Sequence, residues 1–134
     1  MSIADEKYML LTTYRRDGTP VASPVWVVAL EGGTFGFATS SASGKAKRLA
    51  HTSRVTVQAS DARGRVRPGS PVTEGTARIT TGPEYLTIKA KVRDKYGYMV
   101  TLSKSIGALA GLIRRKPMPY GDVGVVISPA EPGL

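Results

Sequence analysis

Residues 8–40, YMLLTTYRRDGTPVASPVWVVALEGGTFGFATS, decide the fold. Asp17-Gly18 is a hairpin signal, because the tight turns that join antiparallel strands need positive φ and glycine adopts it without steric cost. Residues 8–16 before it read as a strand and residues 20–30 after it as a second. From Val25 onward the second strand is apolar on both faces, as in a strand enclosed by a closed barrel or covered by another layer. Glu31-Gly32-Gly33 marks a second turn and residues 34–40 a third strand. The expectation is a three-stranded antiparallel meander.

Working outward, Ser40-Ser41-Ala42-Ser43-Gly44 interrupts the strand pattern, and a short helix over about 44–51 follows with Ser43 as its N-cap. Residues 54–60 (RVTVQAS) alternate apolar and polar, the pattern of a half-buried strand. Asp61-Ala62-Arg63-Gly64-Arg65 is a polar turn, residues 66–72 a loop with two prolines and a glycine, and residues 73–80 a further strand. Thr81-Gly82-Pro83-Glu84 has the spacing of a capping box with proline in the first turn. Tyr85, Ile88, Val92 and Tyr96 then lie on one helical face, and Gly97 is the expected stop. Residues 98–116 predict a third helix with Met99, Leu102, Ile106, Leu109 and Ile113 as its apolar stripe, closed by Pro117. Residues 121–128 predict the last strand. About six strands and two to three helices define an α+β class: one domain over residues 1–134, built on an antiparallel sheet closed into a barrel.

Composition removes several chemistries. The 134 residues contain no Cys and one His, which excludes a thiol nucleophile, an iron–sulfur cluster and a structural zinc site. The missing Cys agrees with a cytoplasmic location. Residues 1–11 lack the apolar run of a signal peptide, and no stretch approaches the ~18–20 apolar residues that span a bilayer. The net charge is +9, and residues 45–67 hold Lys45, Lys47, Arg48, Arg54, Arg63, Arg65 and Arg67 against Asp61 alone, a local +6. So uneven a charge points to a located anion site.

The segment Thr39 to Arg48 (TSSASGKAKR) carries the chemistry. Thr39, Ser40, Ser41 and Ser43 bring four hydroxyls to the start of a helix, where free amides attract phosphate. Lys45 in the first turn opposes the helix dipole at a cost of ~0.3–1 kcal/mol, and an anion bound there reverses the sign. A solvated basic helix face explains the same spacing without a ligand. Trp26, the single Trp, suits either core or interface packing or one wall of a flat-ring site. His51 reads as a surface or packing residue, and the scattered carboxylates offer no obvious acid pair. Nucleic acid is disfavoured, because residues 43–72 contain no Phe, Tyr or Trp on which a base could stack. A membrane-surface role for residues 98–116, ending in Arg114-Arg115-Lys116, is the weaker alternative to core packing.

Four segments in order, LLTTYRRDGTPVASPVWVV, FATSSASGKAKRLAHTSRVTVQASDARGR, VTEGTARI and KYG, resemble the split β-barrel, pyridoxamine 5′-phosphate oxidase-like superfamily over about residues 8–128. The resemblance is greatest to its deazaflavin-dependent oxidoreductase branch. It implies a homodimer with two equivalent cofactor sites at the subunit interface; a small-molecule substrate is expected, with no nucleic-acid or integral membrane partner. It implies cofactor phosphate binding by Thr39, Ser41, Ser43, Lys45, Lys47 and Arg48. Ser23, Pro24 and Trp26 would lie along the ring, and Arg63 and Arg65 at the rim. The chain departs from pyridoxamine phosphate oxidase itself in lacking its Arg-x-x-x-Leu-Lys strand, which sets flavin mononucleotide second to the more anionic 8-hydroxy-5-deazaflavin coenzyme (F-420). A flavin- or haem-binding oxidase or carrier of the same fold is the alternative. Hydride chemistry on such a cofactor needs no protein nucleophile. Tyr96, Tyr98 or water are the proton donors open to it.

Overall fold

The structure, a computed structural model, describes residues 3–110 and 122–130, with side chains from Ile3 to Tyr96 and from Asp122 to Ala130. Seven strands form a single antiparallel sheet in the order β2-β1-β5-β6-β7-β4-β3. They are β1 (Tyr8–Tyr14), β2 (Pro20–Trp26), β3 (Val28–Ala29), β4 (Phe35–Thr39), β5 (Arg54–Ser60), β6 (Thr73–Thr80) and β7 (Val123–Pro129). The helices are α1 (Gly44–Leu49) and α2 (Gly82–Ala110). The α+β antiparallel class and its curled half-barrel are as expected.

The first three expected strands do not form a meander. Residues 20–30 divide at Val27. β2 pairs with β1, placing Leu11 opposite Ser23 and Tyr8 opposite Trp26. β3 instead pairs with β4, Val28 opposite Gly36. β2 and β3 are therefore the two ends of the sheet, although one residue separates them in the chain. Consecutive Cα atoms lie ~3.8 Å apart, so the sheet must curl until its ends meet at Val27. Beyond that corner no ladder joins β2 to β4, which leaves a seam between them. The apolar run from Val25 was legible in sequence, but its division was not, because nothing local marks Val27.

Curling makes two apolar layers. Met9, Leu11, Val27, Phe35, Phe37, Val55, Val57, Val125 and Ile127 fill the barrel with Leu49 of α1. On the outer face of β3, β4 and β7, α2 lays Ile88, Val92 and Tyr96 against Val28 and Val126, with Trp26, Leu30 and Ala38 alongside. β7 is buried on both faces for this reason, Val123 to Ile127 being uniformly inaccessible. Gly124 lets the helix approach, since a Cβ there would sit 2.7 Å from Ile88 Cδ1.

The α2 helix does not stop at Gly97. Its backbone runs unbroken through that residue to Ala110, so the expected second and third helices are one over the described residues. Glycine inside a helix costs only ~1 kcal/mol relative to alanine, too little to end it between helix-forming neighbours. The side chains of Tyr98 and of the stripe from Met99 to Leu109 lie outside the described residues, as do Ile113, the Arg114-Arg115-Lys116 knot and Pro117 altogether. At the N-terminal end Glu84 turns back to β6, where its carboxylate accepts from Arg78 Nη1 and Nη2, each at 2.7 Å, and from Thr80 Oγ1 at 2.6 Å.

Candidate functional site

The loop between β4 and α1 gathers the hydroxyls. Thr39 Oγ1 donates to Ser43 Oγ at 3.2 Å, and Ser43 Oγ also accepts from the Ala46 amide at 3.1 Å, the expected N-cap. Either hydroxyl of the Thr39–Ser43 pair can donate, and with Thr39 donating the Ser43 proton can turn to a ligand. The α1 helix has only six residues, so its dipole contributes little and recognition falls to side chains.

Lys45 is half-buried in the first turn of α1, and burial, reinforced by the charge of Arg48, pushes its pKa below the ordinary lysine value. No carboxylate of the described residues pairs with it. Arg48 folds back over the start of the helix; a Cβ on Gly44 would lie 2.8 Å from its Nη1. Its Nε donates to Thr13 Oγ1 at 2.5 Å, and Thr13 is fully buried on the inner face of β1. Lys47 is exposed. Ser41 is already engaged: its amide donates to Asp122 Oδ1 at 2.6 Å and its hydroxyl to Asp122 Oδ2 at 2.8 Å. These bonds hold the Asp122 carboxyl below its ordinary pKa. Thr13 and Asp122 escape a reading by local sequence, being distant from the loop in the chain and carrying no motif.

The other expected site residues fall elsewhere. Ser23, opposite Leu11, shares the inner face of β2 with Val21, whose carbonyl lies 3.5 Å from Thr13 Oγ1. Pro24 and Trp26 alternate with it: Trp26 stacks flat on Tyr96, centroids 4.6 Å apart and planes within 1°. The Arg63–Arg65 turn folds over that outer side, with Gly64 packed on Leu10 and Pro24. There Arg65 Nε binds Asp61 Oδ2 at 2.8 Å, while Asp61 Oδ1 accepts the Arg63 and Arg65 amides. Two groups result. Thr39, Ser43, Lys45 and Arg48 gather at the end of the seam that Ser23 also borders. Pro24, Trp26, Arg63 and Arg65 occupy the opposite face of β2.

The basic window is likewise divided. β5 carries the chain ~20 Å between Arg54 and Ser60 at ~3.3 Å per residue, so Lys45 and Arg67 are not neighbours. Arg54 lies over the Tyr14 ring at 4.3 Å, and Arg67 Nε pairs with Glu6 Oε1 at 2.9 Å. A separate cleft of about 580 Å³ opens at the far end of the barrel, among Ile3, Glu6, Leu30, Phe35, Arg67 and Pro71, and contains none of the expected site residues.

Tyr96 is not available as a proton donor to a ligand. Its hydroxyl is buried at the β2–β3 corner, where it accepts from the Val27 amide at 3.1 Å and reaches the carbonyls of Val27 at 2.6 Å and Lys7 at 2.8 Å. Lys95 Nζ serves the same corner, donating to the carbonyls of Ala4, Glu6 and Val27 at 2.7–2.8 Å.

A curled antiparallel half-barrel with a hydroxyl- and lysine-bearing loop at its seam defines a split-barrel protein. The chain belongs to the pyridoxamine 5′-phosphate oxidase family, which residues 2–118 match. Among curated proteins no sequence matches it. It is similar in structure to a conserved hypothetical protein from Mycobacterium tuberculosis, at 25% identity and a TM-score of 0.64, over 97% of this chain and 81% of the other. An F420 reductase shares the fold at 20% identity and a TM-score of 0.61, covering 95% and 90%. So does HutZ, the haem storage protein of Vibrio cholerae, at 14% identity and a TM-score of 0.63, covering 95% and 84%. No helix of the described residues is long and apolar enough to cross a membrane.

Proposed function

We propose that the chain is a deazaflavin-dependent oxidoreductase, passing a hydride between the 8-hydroxy-5-deazaflavin coenzyme and a small acceptor such as an activated double bond. The observation that carries this reading is the seam cluster: the paired Thr39 and Ser43 hydroxyls at the start of α1, with a half-buried Lys45 that no described carboxylate neutralises. A phosphate would accept the Ser43 proton and neutralise Lys45, with the Arg48 guanidinium, steadied by Thr13, beside it. The residues present therefore suit a phosphate-bearing flat-ring cofactor. When bound, such a cofactor supplies the two-electron carrier itself, and the chain orients it and excludes water.

The two faces of β2 support a homodimer. One ligand cannot touch Lys45 of α1, at the seam, and Trp26, on the outer face of β2, without wrapping that strand. A ligand that uses both groups takes one from each subunit. The fold shared with a haem storage protein keeps a flavin- or haem-binding carrier as the second reading.

The test is a side-by-side titration of the deazaflavin coenzyme, flavin mononucleotide and haem into the protein and its Lys45→Ala variant, followed by an assay for hydride transfer. The reading expects deazaflavin to bind at low micromolar concentration or tighter and Lys45→Ala to weaken binding more than tenfold, about 1.4 kcal/mol. Tight binding of haem or flavin mononucleotide with none of deazaflavin would transfer the assignment to the second reading.

A further inference from the structure

We infer that Asp122 is a positioning residue that latches the Ser40–Gly44 loop from the β7 side and so holds Ser43 and Lys45 in place for an anionic ligand. This rests on the phosphate reading of the seam cluster. Asp122 immediately precedes β7, and its amide donates to Thr39 O at 3.0 Å, extending the β4–β7 ladder by one step. The backbone of Asp122 is thus fixed by the sheet. Its two carboxylate oxygens take the two donors of Ser41, amide and hydroxyl, as a fork. Two charge-assisted bonds to one residue set its orientation as well as its position.

The loop beyond Ser41 is short and internally tied. The Ser43 amide donates to Ser40 O at 2.9 Å and the Ala42 amide to Ser40 Oγ at 3.1 Å. A movement of Ser41 therefore carries Ser43, and with it the first turn of α1. Ser41 is the handle of the latch, and the ligand contacts fall to Ser43, Lys45 and Arg48.

The opposite role, a carboxylate that competes with the incoming anion, fits less well. Both Asp122 oxygens are taken by Ser41, and among the described residues Lys45 forms no ion pair with that carboxylate.

Asp122→Ala, Asp122→Asn and Lys45→Ala separate these roles. Asn keeps the fork, with Oδ1 accepting the Ser41 amide and Nδ2 donating to a reversed hydroxyl, while removing the charge. Binding of deazaflavin coenzyme and flavin mononucleotide is measured by fluorescence, and amide exchange at Ser41 and Ser43 by NMR without ligand. The inference expects Asp122→Ala to weaken binding about tenfold and speed exchange at both amides, and Asp122→Asn to restore both to within about threefold of wild type. Wild-type exchange in Asp122→Ala would overturn it. So would wild-type affinity in that variant, or tighter binding by Asp122→Asn, while Lys45→Ala still loses the ligand. If neither cofactor binds, or Lys45→Ala binds normally, the phosphate reading fails and the ligand role of Asp122 with it. The exchange data then report the latch alone.

Discussion

Tyr96→Phe tests the corner on which the barrel closes. The substitution keeps the ring, its volume and its stacking on Trp26, and deletes one buried oxygen. Val27 and Tyr96 are 0% and 1% exposed, so water cannot replace it. The Val27 carbonyl keeps Lys95 Nζ at 2.7 Å, which confines the damage. The Val27 amide loses Tyr96 Oη, and a buried donor left unpaired costs ~1–3 kcal/mol. The bond that the hydroxyl itself donates adds ~0.5–1.5 kcal/mol. The expected loss is about 2–4 kcal/mol. At roughly 4 °C per kcal/mol for a chain of this length, Tm falls by about 8–16 °C. Urea unfolding at pH 7, followed by far-UV circular dichroism and by the fluorescence of the single Trp, gives the free energy and checks that the two probes coincide. A loss below about 0.5 kcal/mol at an unchanged m-value would refute the reasoning, because the corner would then be held by its apolar neighbours alone.

Gly124→Ala should cost about 1–3 kcal/mol in the same unfolding assay, since its Cβ would press on Ile88 Cδ1 and Thr80 Cγ2; a neutral result would mean that α2 can shift outward freely. Arg78 and Thr80 hold the Glu84 carboxyl at about 2, below its ordinary 4.5. Because the folded value is the lower one, this contact contributes fully above pH 4.5 and is lost as the pH falls towards 2. An NMR titration of Glu84 should show the depressed midpoint in wild type and a return towards 4.5 in Arg78→Met; a wild-type midpoint above 4 would contradict the geometry. Thr13→Val removes the acceptor that orients Arg48 and should weaken cofactor binding several-fold with little change in Tm. Unchanged affinity would remove Arg48 from the site.

Local chemistry was legible because it depends on near neighbours. Asp17-Gly18 makes its turn with Gly18 at φ 91°, Ser43 caps α1, and the alternation over residues 54–60 builds β5 with Val55, Val57 and Ala59 buried. Gly97 misled because a favourable stop residue is outweighed when the helix continues in helix-forming sequence. The seven cations of residues 45–67 misled because proximity in sequence is not proximity in space across an extended strand.

By itself the sequence determined the antiparallel α+β class, most strand and turn positions, the hydroxyl-rich loop and Lys45. Each follows from residue type and period within a few positions. The tertiary structure alone decided that residues 20–30 divide at Val27, and that Tyr96 and Lys95 staple the division from α2. It also decided that Ser23 and Trp26 face opposite sides of one strand, and that Asp122 and Thr13 support the loop from distant strands. Those outcomes depend on which backbone groups remain unpaired once the sheet curls, and no local pattern carries that information.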